Sequence, residues 1–312
     1  MLEATSRTVF YSLAQVNWLQ HYASQYGMAR DRGFARRFIA GESIDDAVQE
    51  VRAVSSRGLL LTLDYLGESV STSEAAAEAT RDYIRILDAV VQSGVERNIS
   101  LKLTQLGLDV DRATCIDNLR RILQPAEAAG FFVRIDMEGS QYTEVTLQIF
   151  ETLWRQGHRS LGVVLQSYLT RTDGDVARVL ALGARVRLVK GAYNEPREVA
   201  YREKAEVDAA YVRQMKALLD GNAYPAIATH DVDIIAATKQ YAVEKGYAQD
   251  RFEFQMLYGI RRDLQASLHQ EGYRVRVYVP FGQQWFPYFM RRLGERPANI
   301  WFVMRSVLSE RG

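Results

Sequence analysis

The sequence predicts an α/β fold, namely an eight-stranded (β/α)8 barrel of the TIM type that follows an N-terminal helical arm. Two observations support this prediction. From residue 57 onward, short apolar runs recur at helix-sized intervals, and each is followed by a longer segment with helical spacing of its apolar residues. Polar side chains also stand at the end of one run after another, which is typical of the catalytic end of such a barrel.

The apolar runs are the predicted strands, because strands covered by helices on both faces are apolar almost throughout. They lie at residues 59–63, 99–104, 131–137, 161–166, 186–190, 226–230, 252–256 and 275–279. The segments between them are predicted to be amphipathic helices, including residues 75–91, 117–129, 145–155 and 207–219. A doubly wound open sheet shares this alternation, since periodicity does not show whether the first strand pairs with the eighth. No G-x-G-x-x-G fingerprint follows any run, so nothing favours that alternative.

One domain with an added N-terminal arm is predicted. Residues 1–52 form the helical arm, which breaks at residues 40–43 and continues as a second helix over residues 44–54. Residues 53–312 form the barrel. The composition, with 47% hydrophobic and 25% charged residues, is that of an ordinary globular protein with a sizeable core.

Charge and cysteine content exclude several classes of function. The formal net charge of +1 provides no field to hold nucleic acid, so we expect no nucleic-acid partner. The single cysteine, Cys115, excludes an intramolecular disulfide and a cysteine metal cluster, and a cytoplasmic location is expected. We find no signal peptide and no run near the ~18 apolar residues of a membrane span, so any membrane contact is expected to be peripheral.

Polar residues close every predicted strand. Any one of them could be a helix cap or a salt-bridge partner, but their recurrence around the ring favours a functional site at that end of the barrel. They are Asp64, Thr104, Asp136, Glu138, Gln166, Lys190, His230, Asp231, Gln255 and Tyr278.

Two basic residues, Lys102 and Arg187, lie inside apolar runs. A buried charge costs several kcal/mol unless it is paired, so each needs an anion nearby. That anion is either a carboxylate inside the barrel, for example Asp136 for Lys102, or part of a ligand. These two residues alone do not decide between the alternatives.

The segment of residues 285–295 places Tyr288, Arg291, Arg292 and Glu295 on one face of a helix. Adjacent arginines with a tyrosine one turn away suit the bidentate binding of a carboxylate or phosphate. The alternative is a solvated basic edge, because a conventional outer helix would carry Arg291 away from the barrel mouth. A functional pair therefore requires this helix to bend over the top of the barrel.

Two further residues are weaker signals. Gly191 permits close approach of the backbone to a flat or phosphorylated ligand. His230 follows an apolar strand without a second histidine at metal-site spacing, so it is expected to be a hydrogen-bonded histidine and no metal is predicted.

A series of motifs in fixed order resembles the proline dehydrogenase family, in its monofunctional bacterial form, from about residue 30 to the end. The motifs are LTLDYLGE at 61–68, LKLTQLG at 101–107, RIDME at 134–138, VLQSYL at 164–169, RLVKGAY at 187–193, ATHD at 228–231, FEFQMLYG at 252–259 and the Arg291-Arg292 helix. The resemblance implies FAD-dependent oxidation of L-proline to Δ1-pyrroline-5-carboxylate, the first step of proline catabolism. It also implies that the final barrel helix lies over the C-terminal mouth.

For the substrate, the resemblance implies that Arg291, Arg292 and Lys102 hold the proline carboxylate. Asp136 would pair with this cationic cluster and orient it. The side chains expected around the pyrrolidine ring are Leu257, Tyr278 and Tyr288. Hydride would pass from proline C5 to flavin N5.

For the cofactor, the resemblance places Arg187 beside flavin N5, Gln166 against the pyrimidine end and Met137 nearby. Arg187 and Asp136 are thus the expected catalytic residues. Further contacts are expected along the length of the cofactor and towards its ribityl, pyrophosphate or adenine parts, from Lys190, Gly191, Ala192, Thr229, His230 and Glu295.

The resemblance also implies partners. In this family a membrane quinone typically accepts the electrons, so peripheral association with the inner face of the membrane is expected, which the aromatic segment at residues 301–303 supports faintly. The arm could pack under the barrel, cover the flank that the displaced final helix leaves, or mediate assembly, so a homo-oligomer stays open.

Two other classes of function stay open from the residues alone. One is a cofactor-free barrel lyase in which Lys102 or Lys190 forms a Schiff base. Such a lysine needs a lowered pKa, and a nearby Asp136 would work against this. The other is a non-catalytic module that binds an amino acid or a flavin.

Overall fold

The computed structural model describes Met28, residues 34–221 and residues 223–295. Eight parallel strands pair in chain order, and the eighth also pairs with the first. The strands are β1 Leu60–Tyr65, β2 Asn98–Leu101, β3 Phe132–Ile135, β4 Leu161–Gln166, β5 Arg185–Val189, β6 Pro225–Ala228, β7 Glu253–Leu257 and β8 Val275–Phe281. Because β1 and β8 pair along the whole of β1, the sheet is closed. The predicted barrel is confirmed and the open sheet is excluded.

Each strand is followed by an α-helix, and another precedes β1. The helices are α1 Ile44–Ser55, α2 Ser73–Ser93, α3 Arg112–Ala128, α4 Ser140–Arg155, α5 Thr172–Ala181, α6 Lys204–Asp220, α7 Val232–Glu244, α8 Arg262–Gln270 and α9 Trp285–Glu295. Ser43, Thr72 and Asp111 cap three of them by accepting hydrogen bonds from first-turn amides. The predicted helices from residue 44 onward are confirmed, with ends that differ by a few residues. The predicted helix before residue 40 lies mostly outside the described residues.

The main apolar core lies between the strands and the surrounding helices. Strand residues such as Leu61, Val163 and Leu188 belong to one buried cluster with Leu119 of α3 and Tyr211 of α6. All five side chains are inaccessible to solvent. Burial of this apolar surface is the dominant favourable contribution to the stability of the barrel.

The interior of the barrel is polar, unlike the branched apolar filling that is common in this fold. Arg276 of β8 donates to Glu253 of β7 at 2.7 Å and to Glu96 at 2.6 Å. One layer nearer the C-terminal ends, the hydroxyl groups of Thr62 and Ser100 lie 3.4 Å apart. The buried charges of Arg276 and Glu253 are thus paired with each other, as burial requires.

The chain before β1 covers the flank of the barrel between β8 and β1. The amide of Ala40 donates to Pro280 O at 2.8 Å, and the amide of Gly282 donates to Gly41 O at 2.9 Å. Helix α1 then packs against β1, β8 and α2. Of the three roles considered for the arm, the described part has the flank position. Because α1 spans residues 52 and 53, the division into arm and barrel stays a prediction.

Helix α9 lies over the C-terminal mouth and not on the flank. Its residues Trp285 and Phe289 belong to a second apolar cluster, separate from the main core, with Phe38 and with Leu66 and Ile260, which follow β1 and β7. The indole of Trp285 also donates to Glu42 at 3.0 Å. The displaced final helix that the family resemblance implies is therefore confirmed.

The described residues contain no helix with the length and apolarity needed to cross a bilayer. The aromatic segment at residues 301–303, which bears on peripheral membrane contact, lies outside the described residues.

Candidate active site

A cavity of about 390 Å³ opens at the C-terminal ends of the strands, beneath α9. Its volume is within the range of ~300–1,000 Å³ that is typical of small-molecule and cofactor sites. Its walls are formed by residues of β4 to β8, by residues that directly follow β2, β3 and β6, by the loop after β5, by the first residue of α6 and by α9. This is the end of the barrel where (β/α)8 enzymes carry out their chemistry.

The structure brings the sequence-predicted site residues together around this cavity. Those that line it are Lys102, Asp136, Met137, Gln166, Arg187, Lys190, Gly191, Ala192, Thr229, His230, Leu257, Tyr278, Tyr288, Arg291 and Arg292. The side chain of Glu295 lies outside the described residues, so its predicted contact with the cofactor stays a prediction.

Several lining residues had no predicted role. They are Val164, Val189, Tyr193, Lys204, Ala228, Asp231, Gln255 and Met256. Asp231 and Gln255 stand at strand ends, and Tyr193 closes the motif at residues 187–193, so the sequence held a signal for these three. Lys204 is the first residue of α6 and is reached only after a long loop, which explains why strand-end reasoning misses it.

Arg187 is the centre of the buried polar network at the floor of the cavity. Its Nη1 donates to Asp136 Oδ1 at 2.6 Å, its Nη2 donates to Ser100 Oγ at 3.1 Å, and its Nε donates to Gln255. The hydroxyl of Tyr278 donates to the other oxygen of Asp136 at 2.8 Å. These contacts hold the guanidinium in one orientation, 5.1 Å from the centre of the Tyr278 ring.

Lys102 pairs with a carboxylate other than the expected one. Its ammonium lies 3.1 and 3.3 Å from the two oxygens of Asp64, which is fully buried. The suggested partner, Asp136, is instead hydrogen-bonded to Arg187 and Tyr278. The strand-end position of Asp64 is known from the sequence, but its pairing depends on how β1 and β2 lie side by side.

The charge state of Lys102 follows from these neighbours. Burial lowers the pKa of its ammonium, but the charges of Asp64 and Asp136 outweigh this effect, so the net pKa is raised. Burial raises the pKa of Asp64, while Lys102 acts in the opposite direction. Lys102 is therefore a stable cation at the cavity wall.

Helix α9 brings both of its arginines to the cavity. Arg291 donates to Glu68 at 2.8 Å and lies 6.0 Å from the centre of the Tyr193 ring. Burial raises the pKa of Glu68, but Arg291 and then Lys102 outweigh it, so the net pKa is lowered and Glu68 is charged. Arg292 lies 5.1 Å from the centre of the Tyr288 ring. The alternative of a solvated basic edge does not hold for Arg291, whose side chain is 11% exposed and paired with Glu68.

A second group of charges lies where β5 and β6 meet α6. Lys190 donates to Asp231 at 2.7 Å and to Asp208, and Lys204 contacts the same two carboxylates. Burial raises the pKa of Asp231, but the two lysines outweigh it and bring the pKa to about 2. The lysines are thus held in place at one end of the cavity by the carboxylates of Asp208 and Asp231.

The backbone after β5 approaches the cavity closely. Gly191 has φ of +116°, a conformation that side chains disfavour, and a Cβ at this position would overlap the ring of Tyr168. Gly191 therefore presents backbone rather than a side chain to the cavity.

Two polar side chains at the strand ends bear on ligand binding. Gln166 is 3% exposed, and its Nε2 donates to Glu138 O at 3.2 Å, while its Oε1 is buried without a hydrogen-bond partner in the described part of the chain. His230 accepts the amide of Leu257 on Nε2 at 3.1 Å, consistent with the predicted hydrogen-bonded role.

Glu138 lies behind the cavity wall. It accepts hydrogen bonds from the amide of Thr104 at 3.2 Å and from the Thr104 hydroxyl at 2.5 Å. Burial raises its pKa, and although these hydrogen bonds act against the rise, the net pKa is about 7.

Comparison with known proteins identifies the family. The model of the family described as proline dehydrogenase matches residues 47–305. "Proline dehydrogenase 2" of Bacillus subtilis is 42% identical over 303 residues, which cover 97% of this chain and 98% of that protein. "Proline dehydrogenase" of Deinococcus radiodurans is 44% identical over 278 residues, which cover 88% of this chain and 90% of that protein.

A solved structure agrees with this result. Proline utilization A from Bdellovibrio bacteriovorus, inactivated by N-propargylglycine, superposes with a TM-score of 0.78 at 29% identity, over 84% of this chain and 32% of that one. The family match covers most of the chain, and the relatives match it almost from end to end. The chain belongs to the proline dehydrogenase family.

Proposed function

We propose that this protein is an FAD-dependent proline dehydrogenase that oxidises L-proline to Δ1-pyrroline-5-carboxylate. The observation that carries the proposal is the convergence of Lys102, Arg291 and Arg292 on one cavity that also contains aromatic and aliphatic side chains. Three cations beside an apolar surface suit a small amino acid with a carboxylate and an apolar ring. The relatives that share the fold carry the name of this activity.

The substrate carboxylate would be bound by the two arginines of α9 and by Lys102. Arg291 is held by Glu68 and Lys102 by Asp64, so both cations are already oriented before a ligand arrives. Leu257, Tyr278 and Tyr288 would pack around the pyrrolidine ring, because they provide the adjacent apolar surface. With α9 over the mouth, the ring would be shielded from water.

The residues on the other side of the cavity fit a flavin. The buried Oε1 of Gln166 needs a hydrogen-bond donor, and the N–H of a flavin pyrimidine ring is one. The backbone of Gly191, which carries no side chain, would let a flat ring come close, with Ala192, Met137, Thr229 and His230 completing the wall. Lys190 and Lys204 carry positive charge suited to the phosphates of FAD.

Bound FAD would supply the two-electron acceptor, taking hydride from proline C5 at its N5 atom. Arg187 would stabilise the negative charge that develops on the cofactor, because its guanidinium is charged and fixed by three side chains. Asp136 would hold Arg187 in that orientation. The proline nitrogen must be neutral when hydride leaves, and Lys102 does not serve as the base in its protonated form.

A membrane quinone is the proposed electron acceptor, and peripheral contact with the membrane would follow from it. The support for this step is family membership alone. Oxidised quinone analogues added to protein that has been reduced by proline should restore the oxidised flavin spectrum, while an analogue without the quinone ring should not.

The Schiff-base lyase is disfavoured by the charges of the two candidate lysines. Lys102 has a raised pKa, and Lys190 is paired with two carboxylates. A nucleophilic lysine needs the opposite, a pKa lowered by burial or by a neighbouring cation. No observation favours the non-catalytic binding module over the enzyme.

The test is the visible spectrum of the purified protein, recorded anaerobically before and after L-proline is added. We expect a flavin spectrum that bleaches with L-proline and does not bleach with an equal concentration of D-proline. A flavin spectrum that persists would contradict the substrate, and a protein that is colourless and takes up no added FAD would contradict the cofactor.

A further inference from the structure

Glu195 lies outside the cavity, yet its carboxylate joins two of the elements around it. Oε1 accepts the amide of Ser140 at 2.8 Å and the hydroxyl of Tyr168 at 3.3 Å, and Oε2 accepts the hydroxyl of Ser140. Glu195 is only 6% exposed. Since Ser140 is the first residue of α4, the carboxylate also lies at the positive end of a helix dipole. Glu195 thereby ties the loop between β5 and α6 to the start of α4.

Tyr168, which donates to Glu195, also contacts the residues of the cavity wall after β5. Its ring packs against Gly191, where a Cβ would overlap it. Its backbone amide donates to Lys190 O at 2.9 Å. Burial and then Glu195 raise the pKa of its hydroxyl, and the backbone of Tyr193 acts in the opposite direction from close by. Tyr168 thus contacts the segment of residues 190–193 at three points.

The far end of the same loop is held independently of Glu195. The amide of Tyr201 donates to Tyr168 O at 2.8 Å, and the amide of Thr170 donates to Val199 O at 2.9 Å. Loss of the Glu195 carboxylate would therefore leave the loop attached at both ends. What it would release is the start of α4 at Ser140 and the hydroxyl of Tyr168, and with that hydroxyl the position of the cavity wall at residues 191–193.

The position of residues 191–193 affects Arg291 of α9 through the side chain of Tyr193. This side chain lines the cavity, and the guanidinium of Arg291 lies 6.0 Å from its ring centre. Its hydroxyl is close enough to Arg291, Glu68 and Lys102 for its pKa to respond to all three charges, although burial is the largest influence and raises it. A shift of the Tyr193 backbone would thus disturb the cations that we assign to the substrate carboxylate.

We propose that Glu195 and Tyr168 are positioning residues for substrate binding: Tyr168, held by Glu195, sets the place of residues 191–193 and through Tyr193 the place of Arg291. This inference rests on the proposed function, since it concerns binding of proline at the same site. Neither residue touches the cavity, so neither is a catalytic residue.

The test compares Tyr168→Phe and Glu195→Gln with the parent protein in anaerobic stopped-flow reduction by L-proline. We expect the half-saturating proline concentration to rise about five- to tenfold in each variant, the value of one lost buried hydrogen bond. The limiting rate at saturating proline, expressed per bound FAD, should stay within about twofold. The double variant should be no worse than Glu195→Gln alone, because Tyr168 acts through Glu195.

The matched control is Tyr241→Phe, which also removes a tyrosine hydroxyl bonded to a carboxylate. Its hydroxyl lies 2.9 and 2.7 Å from the oxygens of Asp220, near the C-terminal ends of α6 and α7. It should match the parent protein in every measurement.

Two results would overturn the inference. One is an unchanged half-saturating concentration in both variants. The other is a loss of FAD and of thermal stability in step with the loss of rate, which would mean general support of the fold. If proline fails to reduce the parent protein, the proposed function fails and this inference with it, whereas a reducible parent with unchanged variants overturns this inference alone.

Discussion

Single residues at the site differ in how firmly the protein itself holds them. The three guanidinium nitrogens of Arg187 donate to Gln255, Asp136 and Ser100, so this arginine is a fixed charge in the floor. Arg291 is held by Glu68. The guanidinium of Arg292 lies over the Tyr288 ring, 5.1 Å from its centre. A guanidinium at the cavity suits the bidentate binding of a carboxylate, so we expect Arg292 to be the strongest contact of the substrate.

Replacement of Arg292 by alanine should therefore raise KM for proline about 30- to 100-fold, which corresponds to about 2–3 kcal/mol for a lost charge-assisted pair. The KM of Arg292→Lys should lie between those of the parent protein and Arg292→Ala, since lysine keeps the charge but not the planar fork. Arg120→Ala, which removes a surface arginine paired with Asp117, is the control and should leave the kinetics unchanged. Unchanged steady-state kinetics in Arg292→Ala would contradict the assignment of Arg292 to the substrate carboxylate.

At the scale of elements, α9 is attached to the barrel by an apolar cluster that is separate from the main core. Trp285 is 1% exposed, its ring centre lies 5.8 Å from that of Phe289, and its indole donates to Glu42. The strands and outer helices share another cluster. Docking of α9 and folding of the barrel therefore depend on different side chains. A substitution in one cluster should weaken one process and leave the other nearly unchanged.

Trp285→Ala should cost about 3–5 kcal/mol, mostly in the docking of α9. We expect a small change in the thermal midpoint of the barrel, measured by far-UV circular dichroism, but at least a tenfold fall in the rate of flavin reduction at low proline concentration. The matched substitution is Phe254→Ala in the main core, where the thermal midpoint should fall sharply. If the thermal midpoint falls equally in both variants, α9 unfolds together with the barrel. The proposal that its docking depends on different side chains is then wrong.

For the whole molecule, the consequence of a polar barrel interior is that stability depends on pH through buried charges. Glu138 has a pKa of about 7 against an ordinary value of 4.5, because burial disfavours its charged form. A raised pKa means that the folded state holds a proton that the unfolded state has released. The contribution of this group is thus fully present below pH 4.5 and is lost as the pH rises through about 7.

Glu138→Gln should remove this dependence, which amounts to a few kcal/mol at most. We would measure the free energy of unfolding in urea at pH 5 and pH 8 for both proteins. The free energy of unfolding should fall from pH 5 to pH 8 by more in the parent protein than in the variant. Asp231 and Glu144, whose pKa values lie near 2, titrate at lower pH and are shared by both proteins, so they cancel. The same pH difference in both proteins would contradict the assignment.

Local patterns in the chain are enough to predict the helices, the strands and most of the residues that line the cavity. Apolar runs and helical spacing are local properties, because they report on neighbours within a turn or a strand, and the strands and helices derived from them are confirmed. In a parallel barrel the C-terminal ends of all strands meet, so polar residues such as Asp136 and Gln166 had to come together once the barrel was assumed. The motif series then assigned roles to residues that spacing alone could not distinguish.

Contacts between segments far apart in the chain can be known only from the folded structure. Closure of the sheet requires β1 and β8 to pair, which no local pattern reports. The partner of Lys102 is Asp64, and not the expected Asp136, because ion pairing follows the reach of side chains across neighbouring strands. Lys204 reaches the cavity only through the path of a long loop. Each outcome is set by packing of the closed barrel, since a charge finds its partner in space and not along the sequence.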